Sequence, residues 1–102
     1  MCERAKYRRK GEARLANLEE DIDRLRNRIA TPVVEIRERV EREILDLRSK
    51  AEEVRRRVRA VEGAGASDWG RLKNAVDDGL KDLGHGIDET IKKFRKTGSG
   101  GR

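Results

Sequence analysis

Residues 22–51 read IDRLRNRIATPVVEIRERVEREILDLRSKA. Their apolar side chains fall into three interleaved series with a step of eleven residues. Ile22, Val33 and Ile44 form one series, Leu25, Ile36 and Leu47 the second, and Ile29, Val40 and Ala51 the third. A 3, 4, 4 spacing averages about 3.67 residues per turn, close to a relaxed α-helix, so all three series stay on one side of a single helix. The same beat returns in Leu72, Val76, Leu80, Leu83, Ile87, Ile91 and Phe94. The stretch therefore predicts an all-α chain built from long amphipathic helices.

Composition agrees with that reading. Of the 102 residues 45% are charged, 34% hydrophobic and 3% aromatic, which suits long helices with one buried stripe better than an ordinary globule. A disordered polyampholyte would lack the sustained apolar period. The net charge of +6 is concentrated toward the ends. In the middle, opposite charges alternate at i,i+4, as in Glu20 with Arg24, Glu35 with Arg39, Glu38 with Arg42 and Glu52 with Arg56. That pattern reads as a solvated, ion-paired face rather than as a nucleic-acid footprint.

The segment MCERAKYRRKG at residues 1–11 reads as a basic N-terminal arm. A long amphipathic helix follows over residues 12–62. Pro32 interrupts it, because proline lacks a backbone donor and clashes with the carbonyl four residues back. Thr31-Pro32 also fits the cap and first position of a separate helix, but the eleven-residue phase crosses unbroken from Ile29 to Val33 and favours a kink. Gly63, Ala64, Gly65, Ala66 and Ser67 form a linker, with a glycine where a helix end accepts a left-handed residue and Ser67 or Asp68 as the next cap. A second amphipathic helix over residues 68–96 then folds back antiparallel, and residues 97–102 form a flexible tail.

The expected hairpin core comprises Val33, Ile36, Val40, Ile44, Leu47, Val54, Val58 and Val61 on the long helix. Facing them are Trp69, Leu72, Val76, Leu80, Leu83, Ile87, Ile91 and Phe94, with Trp69 plugging the linker end against Val58 and Val61. Gly79, Gly84 and Gly86 weaken the second helix by about 1 kcal/mol each, so it requires a packing partner. Gly79 and Gly86, one heptad apart beside the stripe, suit a close approach by another backbone, whereas Gly84 points away from it. The second helix reaches back only to about residue 34 by its length. Leu15, Leu18, Ile22, Leu25 and Ile29 are then left without a partner: either the N-terminal half folds back into a three-helix bundle, or it pairs with another copy. The second alternative makes these five residues a self-association seam and the chain a homo-oligomer, with a dimer favoured.

No reaction is legible. His85 is the lone histidine, flanked by glycines opposite the apolar stripe, and Cys2 is the lone cysteine, so no metal set or disulfide within the chain is expected. The adjacent carboxylates Asp77-Asp78 and Glu52-Glu53 carry no sign of burial. No glycine loop for phosphate is present. The sequence reads as non-catalytic, with no cofactor, metal or small-molecule substrate. Lacking an apolar run for a membrane span or a secretory signal, it reads as cytoplasmic. A lipid surface is the alternative partner, since the second helix has a continuous apolar face, although Asp77, Asp78, Asp82, Asp88 and Glu89 oppose attraction to anionic headgroups. Nucleic acid ranks third: it rests on the basic arm, where Tyr7 among Arg4, Lys6, Arg8, Arg9 and Lys10 is a weak stacking signal.

The spacing of Tyr7, Leu15, Leu18, Ile22-Asp23 and Leu25, then of Trp69, Leu72-Lys73, Val76-Asp77, Leu80, Leu83 and Phe94, resembles small bacterial coiled-coil proteins labelled as stress-response proteins. The resemblance covers nearly the whole length and implies an elongated helical shape, a stress-related context and no catalytic residues. The chain departs from that pattern in carrying leucine at positions 18 and 80, where tryptophan is expected, and in inserting Thr31-Pro32.

Overall fold

The computed structural model describes the backbone of residues 3–98 and the side chains of residues 3–94. Every regular element in that range is helical: α1 (Glu3–Asp23), the single turn α2 (Leu25–Arg28), α3 (Val34–Glu62) and α4 (Ala66–Gly98). α1 and α2 run almost as one helix, because Arg24 and Arg28 N–H still donate to the carbonyls of Glu20 and Arg24. α3 and α4 form the expected antiparallel hairpin. Its register is fixed by Leu47 against Gly86, Val54 against Gly79, and an ion pair of 3.1 Å from Lys93 to Glu43.

The chain does more than kink at Pro32. It reverses over residues 29–33, and α1 lies back along both α3 and α4 to close a three-helix bundle measuring 54 × 20 × 18 Å. The physical reason is burial. Leu15, Leu18, Ile22, Leu25 and Ile29 all become buried in the common core with Val40, Ile44, Leu47, Val54, Val58, Val61, Val76, Leu83, Ile87 and Phe94. The residue 15–29 seam is thus covered within the chain itself. The basic arm is likewise no separate segment, since residues 3–11 are the first turns of α1 and Gly11 is buried against Val58.

Helix ends differ from the sequence expectation in detail. Thr31 does not cap α3. Its Oγ1 accepts from Val33 N–H at 3.2 Å, and Val33 occupies the cap position in extended backbone without a side-chain bond. Gly63 is not left-handed: its φ is −91°, and Ala64 N–H closes the helix end on the Val61 carbonyl at 3.2 Å. α4 starts earlier than predicted, with Asp68 and Trp69 N–H both donating to the Gly65 carbonyl, while the Asp68 carboxylate pairs with Arg71 at 2.7 Å. Thr97 and Gly98 belong to α4 rather than to a tail, and Ser99, Gly100 and Gly101 lie outside the described residues.

Gly79 and Gly86 mark close approaches, but to side chains rather than to the other backbone. A β-carbon at Gly79 would come within 2.9 Å of Val54 Cγ2, and one at Gly86 within 3.0 Å of Leu47 Cδ2. Gly84 faces α1, where a β-carbon would meet Leu18 and Arg14 at an ordinary 3.7 Å. Gly79 thus leaves no room for a β-carbon beside the β-branched Val54, and Gly86 leaves room only where the end of the Leu47 side chain gives by a few tenths of an ångström.

Candidate functional site

The two ends of the bundle are built differently. At the α3–α4 linker, Tyr7 and Trp69 meet edge to face with ring centroids 5.5 Å apart. The Arg4 guanidinium lies over the Trp69 ring at 5.2 Å, and Lys73 Nζ lies 5.7 Å from the Tyr7 centroid. The Tyr7 hydroxyl reaches the Lys73 carbonyl at 2.9 Å and also the Asp77 carboxylate. Burial first, then the hydrogen bond and negative charge of Asp77, pushes the Tyr7 phenol far above its ordinary range. Tyr7 thus serves as a clasp between α1 and α4, and Trp69 is half-buried against the core as the linker plug.

Along the flank, ion pairs fasten α1 and α2 to α3. Glu41, Arg48, Arg55 and Glu62 recur at heptad spacing on α3 and meet Arg26, Asp23, Glu19 and Arg8 respectively. The pairing runs antiparallel from one end of the bundle to the other. The Arg26 hydrogen bond holds the Glu41 carboxyl below its usual value, and the matching acidic partners raise Arg8, Arg26 and Arg55. Arg8 is thereby engaged by both Glu12 and Glu62. Within-helix pairing of the predicted kind is present for Glu20 with Arg24 at 4.0 Å. The bridges between helices depend on the reversal at residues 29–33, and the i,i+4 charge pattern of the sequence did not point to them.

The other end carries the reversal. Ile29, Ala30, Thr31, Val34, Arg37, Glu38 and Val40 line a depression of about 510 Å³ there, closed on one side by Arg26 and Glu41. Three large hydrophobic residues of the described chain are exposed: Val33 and Val34 at the reversal, at 43% and 55% of full exposure, and Leu45 about three turns further along α3, at 61%. Val33 is the one predicted hairpin residue that lies outside the packing. Its phase is right for the seam, but the chain has turned away before α3 begins. Ile36, Trp69, Leu72, Leu80 and Ile91 are half-buried against the core.

The residues weighed for chemistry stay apart. His85 is exposed and lies 3.8 Å from Glu89. Asp77 is tied to Tyr7, while Glu52 and Glu53 pair with Arg55 and Arg57 at 3.7 and 3.5 Å. Cys2 lies outside the described residues. Among the described residues no group of three or more His, Cys, Asp or Glu is placed to hold a metal ion, and no helix is long and apolar enough to cross a membrane. Comparison of the chain with protein-family models, with curated proteins and with solved structures finds no significant match.

Proposed function

We propose that the protein is a non-catalytic interaction protein that self-associates, and that it does so through the open end of α3 rather than through the buried residue 15–29 seam. The observation that carries this reading is the exposure of Val33 and Val34 at the chain reversal and of Leu45 about three turns further along α3. Val34 and Leu45 are eleven residues apart and so project from the same side of α3. Between and beside them lie Arg37, Glu38, Glu41 and Arg42, with both signs in balance. A two-fold antiparallel contact that sets Val34 of each copy against Leu45 of the other buries the two together, as an isologous interface requires. A stress-related setting, which comes from the resemblance, and cytoplasmic residence, with which a lone cysteine is compatible, belong to the same proposal.

Light scattering during size-exclusion chromatography tests it. The wild-type mass should rise above 11.7 kDa with concentration, and Val34→Glu with Leu45→Glu should abolish the rise without loss of helicity. A wild-type protein that stays monomeric at every attainable concentration overturns the reading. A lipid surface is less well supported, because the apolar face of α4 is occupied by α1 and α3. Nucleic-acid binding is weaker still, with Arg8 engaged by two carboxylates.

A further inference from the structure

We propose that two copies of this chain exchange α1, with the reversal at residues 29–33 straightening into helix so that each α1 docks on the α3–α4 hairpin of the other copy. The inference rests on the reading that the partner is a second copy, and departs from it in the surface used: the residue 15–29 seam packs on the partner's hairpin in place of the contact at Val34 and Leu45. Three observations carry it.

The apolar phase is continuous across the reversal. Ile22, Val33 and Ile44 keep their eleven-residue step although the backbone turns between the first two. Val33 is therefore patterned for a seam that the closed chain does not give it, and it is left 43% exposed. In a straightened helix Ile29, Val33, Ile36 and Val40 lie on one face.

The reversal is held lightly. α3 begins without a side-chain cap at Val33, α2 is a single turn, and no residue of the connection adopts a left-handed conformation. A short connection of this kind is a site where arm exchange competes with closure.

The contacts survive the exchange. The four pairs Arg8–Glu62, Glu19–Arg55, Asp23–Arg48 and Arg26–Glu41 are each centred within about three residues of Val34. Two straightened chains laid antiparallel, with a two-fold axis beside Val33 and Ile36, bring the same partners together between chains. The Tyr7 clasp on Trp69, Lys73 and Asp77 reforms in the same way. The exchanged form gains burial of Val33 and helical hydrogen bonds through residues 29–33. Against it stand the entropy of association and Pro32, which disfavours a helix interior and also biases Thr31 away from helix. Pro32 is thus the residue that holds the balance toward the closed monomer.

The test is Pro32→Ala, which lifts both restrictions and shifts the equilibrium toward dimer by about a hundredfold per copy. Light scattering should give twice the monomer mass at concentrations where the wild type is smaller. Isotope-labelled and unlabelled chains, unfolded and refolded together, should then show an isotope-filtered nuclear Overhauser contact between Tyr7 of one chain and Trp69 of the other. Inserting Gly-Ser-Gly-Ser after Ala30 in the Pro32→Ala chain should return it to a monomer with the same helical core, which also shows that the substituted chain folds. A Pro32→Ala chain that remains monomeric overturns the exchange. A dimer whose Tyr7–Trp69 contact stays within one chain also overturns it, and leaves the face-to-face contact at Val34 and Leu45 standing.

Discussion

Gly79 on α4 lies so close to Val54 on α3 that a β-carbon at residue 79 would fall 2.9 Å from Val54 Cγ2, nearer than van der Waals contact allows. Gly84, five residues further along the same helix, faces α1 across an ordinary 3.7 Å. Gly79→Ala should therefore lower stability by about 1–3 kcal/mol through overpacking, despite the gain in helix propensity. Gly84→Ala should raise it by about 0.5–1 kcal/mol, because only propensity and chain entropy change. Urea midpoints for the two variants against wild type provide the check, and equal effects would contradict the packing described for α3 and α4.

Tyr7 is the sole tyrosine, and its phenol is raised by burial and by Asp77. A group whose folded value exceeds its unfolded value near 10 stabilises the native state fully below that pH and loses the contribution as pH rises toward the folded value. Stability should thus fall from about pH 10 upward, with ionisation of the phenol coinciding with release of α1. Ultraviolet difference spectroscopy should show a titration delayed relative to free tyrosine and coincident with loss of the Trp69 fluorescence signature. In Tyr7→Phe the delayed titration disappears, and stability at neutral pH drops by about 1 kcal/mol for the lost hydrogen bond.

At the opposite end the sign is reversed. Arg26 lowers the Glu41 carboxyl, so the pair supports closure of α2 on α3 above the ordinary glutamate value near 4.3 and is lost as pH falls through the lowered value. Both side chains are well exposed, so the effect should be small and should weaken with salt. The urea midpoint of Glu41→Gln should lie slightly below wild type at neutral pH, and the difference should vanish in acid.

Much of the fold was legible because periodicity reports which side of a helix is buried. The phase of Ile44, Leu47, Val54 and Val58 against Val76, Leu83 and Ile87 predicts the α3–α4 hairpin, and the heptad of Gly79 and Gly86 predicts where the helices press together. The direction of α1 was not legible, since a phase that continues across Thr31-Pro32 is equally compatible with a straight helix and with a reversal. Local pattern records the buried side of a helix but not the identity of what covers it. Tyr7 shows the same limit: among five basic residues it read as a stacking side chain, and only the return of α1 brings it to Trp69 and Asp77. At the candidate contact surface, Val34 and Leu45 carried no signal in the sequence because they lie off the apolar phase.

Leu25 gives the sharpest contrast between a seam that waits for a partner and one already filled. Its side chain is fully buried in the core, one turn before the reversal. On an exposed seam, Leu25→Glu would yield a well-folded monomer. In the bundle it forces a carboxylate into an apolar site with no partner, at a cost well beyond the about 2–5 kcal/mol of a Leu→Ala truncation. The expected outcome is detachment or unfolding of α1, with the α3–α4 hairpin losing cover over Ile44, Val58 and Leu83. Circular dichroism should show reduced helicity and a broadened melt. Hydrogen exchange should show protection lost first from residues 3–28 and then from α4, whose glycines leave it least able to stand alone. A Leu25→Glu protein that melts like wild type, with protection intact in α1, would place the residue at the surface and refute the folded-back arrangement of α1.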